Sequence, residues 1–291
     1  MGKKDMTFVE IQSDKEKFLR QYEVIDLFPN CGVSWETLME IGDDYETKCY
    51  GDGRESQVYK GKYFEIIQSH ISKIACFDNV HSYRFRIKKT GSLLAKIIRK
   101  GAERKTVYTS ANYFQKITDL LGIRLLYVFK EDYWSVHQQI MNEYENQLAQ
   151  DISIKLKTGD DGDMYKQLLQ EYSNVRVDEN RTYRSIHYTI YAEKSDISTC
   201  PRVEIQTRTI FEEGWSEINH KLVYKTDSGN KGLKKTSDVL SSMVGACDTM
   251  GMLMKMLYDT GIHSDEDNLE GKEIAQQEDD VVQVIRNFLS Q

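Results

Sequence analysis

Residues 203–225 read VEIQTRTIFEEGWSEINHKLVYK, and the reading of this stretch decides the fold. It is a strand that runs straight into a helix. Side chains alternate across a strand, so Glu204, Gln206 and Arg208 share one face and Val203, Ile205 and Thr207 the other. Thr209 followed by Glu212 has the capping-box spacing that starts a helix. Phe211, Trp215, Ile218 and Leu222 then recur as a helical apolar stripe, with Glu217, His220, Lys221 and Tyr224 on a neighbouring polar face. A carboxylate and a guanidinium projecting together from a strand end suit a metal and a phosphate. A half-buried sheet with a solvated polar face accounts for the same alternation.

Upstream, Tyr183-Arg-Ser-Ile-His187 places Tyr183, Ser185 and His187 on one face of another strand. An exposed ring there can stack on a nucleobase, whereas a core tyrosine would need its hydroxyl satisfied. The basic run Arg84-Phe-Arg-Ile-Lys-Lys-Thr-Gly-Ser92 aligns Arg84, Arg86 and Lys88, enters a helix near Gly91, and sets Lys96 one turn later. A helix N-terminus flanked by lysines is a phosphate site, although a solvated basic face reads the same way. Asp119 lies just ahead of the apolar run IRLLYVF, either as a turn residue or as a carboxylate at a sheet rim.

Taken in order, these segments resemble the synthetase domain of the RelA/SpoT-homologue family over roughly residues 33–225. The family marks are a Y-x-S-x-H strand, a later E-I-Q-x-R-T strand, a donor motif R-x-K-x-x-x-S-x-x-x-K matched by Arg86, Lys88, Ser92 and Lys96, and D-x-x-G-x-R matched by Asp119, Gly122 and Arg124. The resemblance implies a nucleotidyltransferase-like sheet. It implies that Arg86 packs on adenine, that Lys88 and Lys96 hold the triphosphate of ATP, and that Arg124 is a second donor contact. It assigns the acceptor to Tyr183 and His187, with Gln206 and Arg208 beside them, and Mg²⁺ to Asp119 and Glu204, the catalytic carboxylates. Magnesium takes few protein carboxylates, so two suffice. Glu204 is also the candidate general base. Two departures stand out: Gly91 replaces a residue often bulkier in relatives, and Arg181–Thr182 replaces the N-G or S-G before Tyr183.

The activity implied is transfer of the β,γ-pyrophosphoryl group of ATP to the 3′-hydroxyl of GDP or GTP, giving AMP and (p)ppGpp. Small members of the family that pyrophosphorylate the tRNA 3′ end or make adenosine alarmones are the alternative. A catalytically silent nucleotide- or RNA-binding regulator is a second. Arg181, Arg184, Lys221 and Lys225 would permit tRNA docking, while a net charge of −7 argues against a broad nucleic-acid footprint. About 80 residues precede Arg84 and contain no helical H-D pair, so the likeness is to small stand-alone synthetases without a hydrolase domain.

Composition sets the rest. Apolar residues at 40% supply a core. Five scattered cysteines (31, 49, 76, 200 and 247) with no C-x-x-C disfavour disulfides and zinc, and fit a reducing cytoplasm. No membrane span or signal peptide is expected. The fold class is α+β, a mixed sheet of about five strands surrounded by helices, with strands at 82–88, 122–129, 152–157, 185–193 and 202–208. Helices are expected at 34–47, 57–76, from about 91, at 110–120, at 133–150 and at 233–258, with a weak one at 14–22. The divisions are an N-terminal extension 1–32, a synthetase domain 33–228, and a helical extension 229–291. That extension carries an acidic stretch at 264–280 and a short helix at 281–289. The Met-rich helix 233–258 is expected to pack or to associate with a second copy, because its apolar residues are too many for a solvated helix.

Overall fold

The computed structural model describes residues 5–54, 56–157, 170–181, 183–194, 197, 199–224 and 230–261. The expected loop 158–163, Thr182 with the Arg181 side chain, Lys225, the acidic stretch 264–280 and the helix 281–289 lie outside the described residues.

The strands are β1 (Ser82–Ile87), β2 (Leu121–Tyr127), β3 (Ile152–Lys157), β4 (Val175–Arg181), β5 (Ser185–Tyr191) and β6 (Arg202–Thr209). They form one mixed sheet in the order β1-β2-β6-β5-β3-β4. The β2–β6 and β3–β4 pairs are parallel and the other three antiparallel. Among the described residues six strands stand where about five are expected. The additional one is β4, a largely polar edge strand (VRVDENR) that pairs with β3 alone and packs only Val175 and Val177 against the core.

The strand alternation gives the sheet two unlike faces. Ile123, Leu125, Val203, Ile205, Ile186, Tyr188, Ile190, Ile152 and Ile154 are buried and belong to the main core. The other face carries Arg84, Arg86, Arg124, Glu204, Gln206, Arg208, His187, Thr189, Ser153 and Lys155, aligned row by row through the pairing register.

Helices α1 (Phe8–Ser13), α2 (Lys15–Gln21), α3 (Trp35–Tyr50), α4 (Lys62–Ile74), α5 (Thr90–Arg104), α6 (Tyr113–Lys116) and α7 (Tyr133–Tyr144) precede or interleave the strands. Helix α4 begins five residues later than the spacing suggests. Its cap is Gly61, where a Cβ would meet the Lys48 carbonyl oxygen at 2.3 Å, so the loop must press against the end of α3. The helix expected at 110–120 shrinks to the single turn α6, since Ile117 turns extended before β2.

The N-terminal helices are built into the core through Phe8, Ile11, Phe18 and Leu19. They also explain Gly91. A Cβ there would lie 2.2 Å from the Tyr22 hydroxyl, so the glycine makes room for this ring against the start of α5. Lys89 pairs with Asp5 at 2.7 Å, and Arg99 donates to the Tyr22 carbonyl at 2.6 Å.

After β6 come α8 (Ile210–Asn219), a π turn (His220–Tyr224) and α9 (Lys231–Gly261). Thr209 caps α8 as expected, accepting from the Glu212 amide at 3.1 Å. The stripe does not behave as expected. Only Trp215 is buried, while Phe211, Ile218 and Leu222 are 41%, 46% and 50% exposed, and Glu212 and Glu213 face inward. The sheet face beneath this helix is a row of arginines, so carboxylates rather than aliphatics turn towards it.

Helix α9 runs along one rim of the sheet. Lys157 at the end of β3 donates to the Asp238 carbonyl and to Ser242, Trp215 donates to the Ser237 carbonyl, and Thr209 at the end of β6 donates to Asp248. No helix among the described residues is long and apolar enough to cross a membrane.

Asp248 is buried, and burial pushes its carboxyl up to about 6 against the pull of the Thr209 hydrogen bond. A carboxyl that holds its proton more tightly folded than unfolded withdraws stability as it ionises, from the ordinary aspartate range up through pH 6. Asp248→Asn keeps the shape and removes the charge. It should therefore be more stable than the parent by about 2–3 kcal/mol at pH 7.5. The two proteins should converge near pH 4. Urea unfolding at both pH values checks this, and an unchanged difference at pH 4 would contradict it.

Candidate active site

The donor motif is local, and α3 holds it in place. Tyr45 donates to the Lys88 carbonyl at 2.6 Å, and Thr90 donates to the buried Glu46 carboxylate. Helix α5 starts with no side-chain cap and no acidic residue in its first turn, which leaves its amide end suited to an anion. Ser92 and Lys96 stand on its first two turns, and Arg86 lies exposed on β1.

Asp119 sits at the foot of β2 between the two motif lysines, with its Oδ2 2.7 Å from Lys96 and 3.0 Å from Lys88. Burial opposes ionisation of Asp119, but Lys88 and Lys96 outweigh it and hold the carboxyl at about 2. Burial lowers the Lys88 ammonium, and Asp119 offsets that only in part.

Parallel pairing of β2 with β6 brings Gly122 opposite Glu204, and Arg86 opposite Gly122 on the other side. Since Gly122 has no side chain, the row is open between Arg86 and Glu204. Glu204 accepts from His187 Nδ1 at 3.0 Å and from Gln206 at 2.7 Å. Burial pushes its carboxyl up, and the His187 contact with the Gln206 hydrogen bond brings it below the usual range.

One row further, Gln206 Oε1 accepts from Arg124 at 3.3 Å and from Arg208 at 3.1 Å. Arg124 also grips Glu213 through both carboxylate oxygens, at 2.7 and 2.9 Å. Arg208 lies 3.6 Å and Arg84 3.5 Å from the same carboxylate. The sequence puts Arg124 with the donor and Arg208 with the acceptor. The structure turns both onto Glu213, and Arg208 is buried beneath the strand with a side chain only 4% exposed.

A cleft of about 220 Å³ opens beside Glu204, lined in part by Tyr183, His187, Thr189, Lys155, Arg176 and Asp151. The rings of Tyr183 and His187 are 6.3 Å apart. Sequence reasoning missed Ser153, Lys155, Arg176, Gln150 and Asp151. The alternation of ISIKLK in β3 signals the first two, which share a face, whereas Arg176 lies on the unrecognised strand β4.

Asp119 Oδ1, His187 Nε2 and Ser153 Oγ are buried with no hydrogen-bond partner, which leaves bonding capacity for a ligand at and beside the cleft. The orphaned Asp119 oxygen and the two singly bonded oxygens of Glu204 fit a hard divalent cation such as Mg²⁺. Among the described residues, no group of three or more His, Cys, Asp or Glu forms a fuller metal cage.

Residues 85–229 match the model of the region found in RelA / SpoT proteins. The GTP pyrophosphokinase YwaC of Bacillus subtilis is 25% identical over 170 residues, 57% of this chain and 68% of that one. A GTP pyrophosphokinase family protein from Streptococcus pneumoniae is 19% identical in structural alignment, over 70% of this chain and 94% of that one, with a TM-score of 0.49. For the small alarmone synthetase 1 of Bacillus subtilis the identity is 19%, the coverage 68% and 94%, and the TM-score 0.47.

Glu213 neutralises three guanidiniums with a side chain only 6% exposed. Glu213→Ala should therefore cost about 3–5 kcal/mol, the usual range for stranding buried charge. Glu217→Ala, whose side chain is 38% exposed and whose nearest arginine contact is 3.6 Å, should cost less than about 1 kcal/mol. Urea unfolding of both variants checks the ranking.

Proposed function

Residues 85–229 belong to the RelA/SpoT family, and from that premise we propose that this chain is an alarmone synthetase. It would transfer the β,γ-pyrophosphoryl group of ATP to the 3′-hydroxyl of GDP or GTP. The acceptor oxygen bonds to the β-phosphorus, the bond from that phosphorus to the α-phosphate oxygen breaks, and AMP leaves. The observation that carries the reading is the pair of carboxylates at one end of the β2–β6 pair. Asp119 is flanked by the donor lysines, and Glu204 by the acceptor cleft.

In this reading Lys88 and Lys96 exchange Asp119 for the phosphates of ATP, and the open end of α5 adds its amides. Arg86 lies against the donor base. Tyr183 stacks on the acceptor base, and His187 with Glu204 orients the hydroxyl, from which Glu204 accepts the proton. Mg²⁺, held by Asp119 and Glu204, would neutralise charge on the transferred phosphates. The remainder is positioning, the main resource of phosphoryl transfer. A relative with the name GTP pyrophosphokinase, together with the family match, supports the activity at the level of the family.

The deciding experiment incubates the protein with γ-labelled ATP and, separately, with GDP, GTP, no acceptor, and deacylated tRNA. Label in a guanosine product supports the proposal. Label in tRNA or in an adenosine product identifies an alternative acceptor, and no label at all marks a silent binder.

Two substitutions test the roles. Glu204→Gln should lower turnover by about 100-fold or more while leaving ATP binding measurable, and a tenth of parental turnover would contradict it. Tyr183→Ala should reduce acceptor kcat/KM about tenfold to a hundredfold, the range of a lost base stack. Tyr183→Phe should be nearly silent, and donor affinity unchanged in both. Equal losses for donor and acceptor that track the melting temperature would make Tyr183 a core residue.

A further inference from the structure

Arg184 follows the proposed acceptor tyrosine directly and opens onto β5, yet its guanidinium turns away from the cleft. Its side chain is 12% exposed and lies 2.6 Å from Glu212, itself 2% exposed on α8. The same nitrogen donates to the Ser241 carbonyl of α9 at 3.3 Å. One turn along α9, a Cβ on Gly245 would lie 2.9, 3.1 and 3.2 Å from three atoms of the guanidinium. The flat group therefore lies beneath a backbone position with no side chain. Asp248, on the next turn of the same face, accepts from Thr209 at the end of β6. Ser241, Gly245 and Asp248 thus form a seat that α9 places over the start of β5 and the end of β6.

We infer that Arg184 is the positioning residue for Tyr183, and that α9 acts on the acceptor through it. The inference rests on the proposed acceptor role of Tyr183. Only one peptide bond separates Arg184 from that tyrosine, whose ring neighbours His187, which in turn holds Glu204. A loop residue that must stack on a base gains from having its backbone fixed in advance. The clamp supplies this from outside the cleft. It is a charge-assisted bond to α8, a carbonyl from α9, and a close fit that needs glycine. Arginine suits it better than lysine, because the fit is to a planar fork rather than to a point charge. The seat also removes Arg184 from the cations that could dock RNA, since it is buried and paired. Residues 231–261 thereby acquire a part in the reaction without touching a substrate.

A double-mutant cycle tests this. Gly245→Leu and Arg184→Lys are each made alone and in a Tyr183→Ala background. Acceptor KM, donor KM, kcat and melting temperature are measured with ATP and GDP or GTP. Each single variant should raise acceptor KM about tenfold, the lower range for a lost base stack, with donor KM within about twofold. In the Tyr183→Ala background neither should add further loss, because the group they position is gone. Additive losses in the double variants overturn the inference. So do donor and acceptor KM values that rise together with a falling melting temperature. If Gly245→Leu does not fold, Arg184→Lys carries the cycle. A parent protein that transfers nothing to GDP or GTP removes the acceptor reading and this inference with it. Transfer by the parent with an additive cycle removes only the positioning role.

Discussion

Three arginines on adjacent strands of one sheet face would repel one another if Glu213 were not beneath them. Arg84 and Arg124 are direct partners in the β1–β2 register, and Arg208 lies on the next strand. Like charges directly opposite in a sheet destabilise it. Burial and the nearby Arg124 already lower the Arg208 guanidinium to about 10. Glu213 answers this from the first turn of α8, where a carboxylate is also favoured by the positive end of the helix. Helix α8 begins immediately after β6, so its first turn has no freedom to look elsewhere. The orientation of α8, its outward Phe211 and Ile218, and the surface offered to α9 all follow from that contact.

The same network reaches the proposed chemistry through one side chain. Gln206 accepts from Arg124 and Arg208 with its carbonyl oxygen and gives its amide to Glu204. Satisfied polar networks of this kind rigidify a site because any rotation breaks several bonds together. Glu204 is therefore held from below by Gln206 and from the side by His187, with its carboxylate ionised at neutral pH. Asp119 is held likewise by Lys88 and Lys96, which in the proposed reading exchange that carboxylate for phosphate. The cost of collecting these charges is met during folding, not at the moment of reaction.

What the sequence discloses depends on whether the signal is local. The strands at 82–88 and 152–157 and the Thr209 cap follow from alternation and spacing within a few residues. The two carboxylates and the donor lysines follow from family motifs. The sixth strand stayed hidden because only Val175 and Val177 of VRVDENR reach the core, too short an alternation to mark a strand. The stripe of α8 misled because its spacing is helical whichever face is buried, and only the arginines on the distant β1 and β2 decide which. The room for Gly91 is filled by Tyr22, nearly 70 residues away in the chain. Arg124 and Arg208 match a motif, but their partner Glu213 belongs to none.

The two halves of the proposed site differ in the same way, and this bears on why the acceptor is the harder substrate to name. The donor half is a continuous run from Arg86 to Lys96 plus Asp119, and its strand-to-helix turn is held by Tyr45 and Glu46 of α3. The acceptor half is assembled from separate segments, with Asp151 and Lys155 from β3 and its approach, Arg176 from the edge strand β4, His187 from β5 and Tyr183 from the loop before it. Lys155 pairs with Asp178 of β4 at 3.4 Å, so the charge it presents depends on the pairing of an edge strand. An edge strand is restrained by pairing on one side only, and β1, which carries Arg86, is the other edge of the sheet. In the proposed site the acceptor half thus depends on pairing between separate segments, and the donor half on one short run of chain.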